Sequence, residues 1–145
     1  MSSSNLKVRK FNRLEDYEVL KSWFDSWEWV APNLPMIPNN SYFVVRDEEL
    51  VAFSCFLTTD TNMALMGYTI VNRSCNRRLE ALDFLLEYLV GEAKNQGFEY
   101  MQYYTTTKGM ASAMEKQGFV SCSSGKEVYL LVKNLGGNCI GFFDE

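Results

Sequence analysis

The stretch NRSCNRRLEALDFLLEYLVGEAKNQGF, residues 72–98, holds the clearest helical period in the chain. Leu82, Leu85, Leu86, Leu89 and Ala93 recur at i, i+3, i+4, i+7 and i+11, the pattern of an amphipathic helix with one buried stripe. NQG closes it, with Gly97 just past the last turn, where a left-handed residue is favoured. The other end carries Arg73, Arg77 and Arg78. A helix start has four unpaired N–H groups and partial positive charge, so basic residues there cost roughly 0.3–1 kcal/mol each unless an anion binds. Guanidinium groups beside free N–H groups make an anion site. The plain alternative is that the arginines are solvated and paired with Glu80 or Asp83.

Working outward, MALMGYTIV (residues 63–71) precedes this helix as a strand, and FEYMQYYT follows as another. Upstream, SYFVVR and LVAFSCFLTT form a hairpin through the turn at residues 47–49. Their nearly continuous apolar runs predict a sheet covered on both faces. LKVRKF (residues 6–11) alternates as an edge strand, and residues 12–30 carry a helical pattern through Leu14, Tyr17, Val19, Leu20, Trp23 and Phe24, with Asn12 as N-cap. APNLPMIPNN holds all three prolines and is a loop. Downstream, KGMASAMEKQ is a short helix closed by Gly118, and FVSCS and EVYLLVK are strands joined at SGK. The order β-α-(α)-β-β-β-α-β-α-β-β predicts an α/β (α+β) fold with a mixed central sheet of six to seven strands. One domain is expected over residues 1–135, followed by a C-terminal tail over residues 136–145 in which Phe142 and Phe143 offer apolar surface.

Composition narrows the function classes. The net charge of -4 disfavours a general nucleic-acid binder. The chain has no histidine, so the commonest general base and metal ligand are missing. Cys55, Cys75, Cys122 and Cys139 are widely spaced, without a zinc pattern, and read as free thiols of a reducing cytoplasm. The N-terminus has no apolar signal core, and no run approaches the roughly 18 apolar residues of a membrane span. A cytoplasmic protein without a metal and without membrane attachment is expected.

The strand GYTIV, the arginine-bearing turn, the helix ending EAKNQGFEY and the later MEKQGF resemble the central block of the GNAT superfamily of acyl-coenzyme A-dependent N-acyltransferases. In that family a-k-x-x-G-f closes the main helix and y-e-k-x-G-F the next. Residues 93–98, AKNQGF, and 115–119, EKQGF, match. Compact, histidine-free versions of the block look like those encoded by bacteriophages. The resemblance covers nearly the whole chain and implies acetyl-coenzyme A as co-substrate, with an amine-bearing small molecule or protein as acceptor. It also implies a pyrophosphate turn of the form R-x-x-G-x-G or R-x-x-G-x-A. Here that turn reads Arg77-Arg78-Leu79-Glu80-Ala81-Leu82, with the arginine kept and Glu80 and Leu82 in place of the glycines. The implied coenzyme site comprises Ile70, Val71, Arg73, Arg77, Arg78, Leu79, Glu80 and Ala81. Side chains at 80 and 82 either crowd the phosphates or turn away, and Glu80 repels them if it faces inward.

Acyl transfer to an amine needs a proton acceptor, a polarised thioester carbonyl and a proton for the leaving thiolate. The family's usual carboxylate is absent from MALMGYTIV, its usual tyrosine acid corresponds to Met114, and its helix-starting asparagine to Thr107. Tyr68 and Tyr104 are the replacement candidates; Tyr103 and Tyr104 point to opposite sides of their strand. Trp27, Trp29, Glu28 and Asp25 either line a pocket for a cationic or aromatic acceptor, or the tryptophans cover the sheet and the acids face water. Cys75 sits beside Arg77, which predicts a lowered pKa, but without histidine no thiol–imidazole pair forms. Three functions stand open: an N-acyltransferase, a catalytically silent module of the same fold, and an α/β protein that assembles, for example as a homodimer, through its tail.

Overall fold

The computed structural model describes residues 5–105, 107–121 and 129–136. Cys122, Cys139, the SGK turn and the tail beyond Gly136 lie outside the described residues. The elements run β1 (Leu6–Lys10), α1 (Tyr17–Ser26), β2 (Asn40–Arg46), β3 (Glu49–Leu57), β4 (Met63–Val71), α2 (Arg78–Asn95), β5 (Tyr100–Thr105), α3 (Lys108–Lys116), β6 (Val120–Ser121) and β7 (Tyr129–Asn134). The strands form one seven-stranded sheet in the order β1-β2-β3-β4-β5-β7-β6. It is mixed: β4 and β5 are parallel, whereas β1–β2, β5–β7 and β6–β7 are antiparallel. Two compact units divide the chain, residues 1–55 with 68–88 and residues 56–67 with 89–145.

The first unit has an aromatic core. Phe11, Leu20, Trp23, Phe24, Ile37, Phe43, Phe53, Cys55 and Ile70 are buried together. Phe43 meets Trp23 and Phe53 edge-on, at ring-centre distances of 5.4 Å each, a geometry that the ring quadrupoles favour. The β2–β3 hairpin turns through Asp47 (φ 50°) and Glu48 (φ 70°), two left-handed residues as in a type I′ turn.

Helix α1 starts at Tyr17, later than its apolar pattern predicts. Asn12 closes a turn instead of capping the helix: its Oδ1 accepts the N–H groups of Leu14 and Glu15. Asp16 then accepts the Asn12 N–H at 2.7 Å and two bonds from Arg9, at 3.0 and 3.1 Å. These bonds hold residues 12–16 as a loop, which leaves Leu14 95% exposed, while Leu20, Trp23 and Phe24 form the buried face. The proline-rich loop contains a single 3-10 turn, Leu34–Met36.

In the second unit, β5 pairs with β4 from Met63↔Tyr100 to Met66↔Tyr103, and β7 lies antiparallel on its other edge. The two matched glycines are helix caps. Gly97 (φ 97°) lets Phe98 N–H reach the Ala93 carbonyl at 3.1 Å, and Gly118 (φ 93°) does the same for Phe119 and Met114 at 3.1 Å. Each is a left-handed residue that returns the chain over the helix end, half-burying Phe98 and burying Phe119. Thr107 caps α3 by accepting the Met110 N–H.

Candidate functional site

The turn between β4 and α2, residues 72–77, is tied to β3 by one asparagine. Asn72 N–H donates to Val51 O at 2.7 Å, and its side-chain amide donates to Leu50 O at 3.0 Å. Asn72 Oδ1 accepts the Ser74 N–H, and its carbonyl accepts the Cys75 N–H. The chain then reaches Arg77 in a left-handed conformation, φ 53°. For a residue with a Cβ that conformation costs about 1–2 kcal/mol, so other contacts must hold it.

Arg46, the last residue of β2, supplies them. Its Nη1 donates to Asn76 O and its Nη2 to Arg77 O, both at 2.9 Å, and Nη2 also reaches Glu80 Oε1 at 3.1 Å. Arg77 Nη2 donates to the same Glu80 oxygen at 2.6 Å. One carboxylate in the first turn of α2 thus bridges two guanidinium groups. The Arg46 side chain is 13% exposed, and its Nε is buried without a hydrogen-bond partner.

The other two arginines gather on Trp27. The Arg73 guanidinium lies 4.5 Å from the Trp27 ring centre, and that of Arg78 lies 5.7 Å away, both within reach of a cation–π attraction. Arg73 also donates to Ser26 O at 2.7 Å, and Arg78 to Arg73 O at 3.2 Å. Trp27 stacks on Trp29 with ring centres 5.6 Å apart. Trp27 and Arg78 border an open concavity of about 680 Å³, lined also by Val71, Cys75, Asn76, Arg77, Leu79 and Glu80.

The side chains at 80 and 82, which the sequence left either crowding the turn or averted, are accounted for. Leu82 is buried in the core at 2% exposure, so it does not crowd the turn. Glu80 is neither averted nor unopposed: Arg46 and Arg77 hold it. Leu79 is 71% exposed, while Ala81 and Ile70 are buried. Cys75 departs from the expectation of a lowered pKa. Its thiol is pushed up to about 11, first by burial and then by a hydrogen bond and charge repulsion from Glu49, which together outweigh Arg46 and Arg78. It is a buried thiol, not a poised nucleophile.

Tyr68 stands in β4 with φ 46° and packs, half-buried, against the aromatic core of the first unit. Tyr104, in the second unit, is 61% exposed, whereas its neighbour Tyr103 is buried, as strand alternation requires. Met114 is fully buried core. Asp25 and Glu28 are exposed, and of that segment only Trp27 joins the arginine pocket. Sequence reasoning missed Arg46, which lies 31 residues from Arg77 and belongs to no motif. Among the described residues no cluster of three or more histidine, cysteine, aspartate or glutamate side chains is arranged to hold a metal ion, and no helix is long and apolar enough to cross a membrane.

No family model matches the sequence, and no curated protein matches it significantly. Solved structures match it well. Ard1 from Thermoplasma volcanium superposes with a TM-score of 0.73 at 13% identity, over 90% of this chain and 97% of that one. A GNAT-family acetyltransferase from Staphylococcus aureus gives 0.68 at 16% identity, over 90% and 99%. The fold is that of the GNAT acetyltransferases. The N-acetylglutamate synthase of Neisseria gonorrhoeae, described in complex with coenzyme A and N-acetyl-glutamate, gives 0.71 at 13% identity. The alignment covers 91% of this chain but only 35% of that synthase, so this chain corresponds to about a third of it.

Proposed function

We propose that the protein is an acyl-coenzyme A-dependent N-acyltransferase that takes acetyl-coenzyme A as co-substrate and transfers the acetyl group directly to an amine of a small molecule or protein. The observation that carries this reading is the arginine-lined concavity at the start of α2, on a fold shared with a synthase described with bound coenzyme A. The residues fit a polyphosphate. Arg77 and Arg78 line the pocket, and the first-turn N–H groups of Leu79, Glu80 and Ala81 face the N-terminal end of the helix. Leu82 leaves the space clear, and Glu80 is the one opposing charge.

In the proposed reaction the amine nitrogen attacks the thioester carbonyl, the C–N bond forms as the C–S bond breaks, the nitrogen gives up a proton and the departing thiolate takes one up. Tyr68 or, as the alternative, Tyr104 is the hydroxyl group proposed to hydrogen-bond near the thioester. Ile70 and Val71, at the end of β4, would flank the coenzyme's arm. Most of the rate would come from holding amine and thioester together.

A second reading is favoured by a specific observation: Met114, which the resemblance sets against the family's acid, is sealed in the core, and β4 carries no carboxylate. A silent module that binds the coenzyme without turnover accounts for both. Calorimetric titration with acetyl-coenzyme A tests the site; no binding at millimolar ligand would sink both readings. Once binding is found, thiol release with a panel of amines separates them.

A further inference from the structure

We propose that Glu80 is a built-in anion that occupies the Arg46–Arg77 pair in the ligand-free protein and must give it up when a phosphate ester binds. This one carboxylate then sets how much negative charge a ligand needs. The inference rests on the coenzyme reading for the ligand's identity, and on geometry for the rest.

Three observations carry it. Both guanidinium groups donate to a single oxygen, Glu80 Oε1, at 2.6 and 3.1 Å, as two donors do when they converge on one oxyanion. The contact lies on the lining of the concavity, with side-chain exposures of 38% for Glu80 and 46% for Arg77, so it is open to competition. Exposed ion pairs are weak, whereas a diphosphate brings more charge and more acceptor oxygens to the same donors. Arg46 stands behind this contact: its side chain is only 13% exposed and also serves Asn76 O and Arg77 O, so it stays in place when the carboxylate leaves. A singly charged carboxylate ligand gains nothing over Glu80, while a polyphosphate does.

The test titrates wild type and Glu80→Gln with inorganic pyrophosphate and, separately, with acetyl-coenzyme A, by calorimetry. Glutamine keeps the side-chain length and an acceptor oxygen, so the turn retains its hydrogen bonds. Glu80→Gln should bind pyrophosphate about 10-fold more tightly, and in wild type the side-chain carboxylate 13C resonance of Glu80 should move on saturation. Equal or weaker pyrophosphate affinity in Glu80→Gln at an unchanged melting temperature overturns the inference, as does failure of both proteins to bind pyrophosphate. Should the variant melt early, the wild-type resonance decides alone: if it stays in place at saturation, the inference is wrong. Tighter pyrophosphate binding with no acetyl-coenzyme A binding by either protein upholds the internal anion and sinks the coenzyme reading. Acetyl-coenzyme A binding by both proteins with equal pyrophosphate affinity does the reverse.

Discussion

The Trp27 indole N–H donates to the Val71 carbonyl at 2.9 Å, joining the residue after α1 to the last residue of β4. The bond fixes the ring on which Arg73 and Arg78 gather. The helix α1 end, the strand β4 end and the start of α2 thereby form one local assembly, with the tryptophan at its centre. Trp27→Leu removes the donor and the π face together. It should lower stability by about 2 kcal/mol in urea unfolding and weaken acetyl-coenzyme A binding as both arginines lose their support.

Arg46→Ala should be among the most damaging substitutions of a charged residue. It strips partners from the carbonyls of Asn76 and Arg77 and leaves Glu80 with one guanidinium. Hydrogen bonds to a charged group are each worth about 1.5–3 kcal/mol, so a loss of roughly 2–3 kcal/mol is expected. Arg46→Lys should recover little, because an ammonium cannot span two carbonyls and a carboxylate with a planar fork. Chemical denaturation of the two variants checks both statements.

The double variant Arg77→Ala, Arg78→Ala should keep the fold and lose acetyl-coenzyme A affinity by about 100-fold, the loss of two charge-assisted contacts. Calorimetry against wild type reads it. Retained affinity would show that the concavity is not the phosphate site.

Tyr68→Phe and Tyr104→Phe each remove one hydroxyl and little else. If either hydroxyl serves the leaving thiolate, kcat should fall about 100-fold with KM nearly unchanged. Steady-state thiol release measures both constants. Unchanged kcat in both variants removes the tyrosines from the mechanism.

The raised Cys75 pKa makes a pH prediction. The folded state holds the thiol proton up to about 11, while the unfolded chain releases it at 9.0. Stability from this group is therefore fully present below pH 9 and is lost as pH climbs toward 11. The loss over that window should be on the order of 2 kcal/mol relative to Cys75→Ala. Below pH 9 the thiol should also react slowly with iodoacetamide. Fast alkylation at neutral pH in the folded protein would contradict the burial that shifts it.

The strands, α2 and α3 were legible because their signals are local. Leu82, Leu85, Leu86, Leu89 and Ala93 repeat at helical spacing and are all buried, and Gly97 and Gly118 have the positive φ that ends a helix. The start of α1 was not legible. Asn12 is a good helix-capping residue by type, but Asp16 binds its N–H and takes Arg9, which arrives from β1, so residues 12–16 form a turn and the helix begins only at Tyr17. Leu14 matched the apolar stripe by spacing alone and proved exposed.

The sequence by itself determined the element order, the glycine caps at Gly97 and Gly118 and the presence of a basic helix start. Each rests on contacts between residues a few positions apart, which order and residue type dictate. Only the tertiary structure decided what the basic start contains. Arg46 reaches Glu80 across 34 positions, Trp27 reaches Val71 across 44 and Arg73 reaches Ser26 across 47. No periodicity encodes such pairings; they exist because folding brings the ends of β2, β4 and α1 beside the first turn of α2. The same physics turned Glu80 from a residue that repels phosphate into one that two arginines hold, and Cys75 from a thiol beside a cation into a buried one.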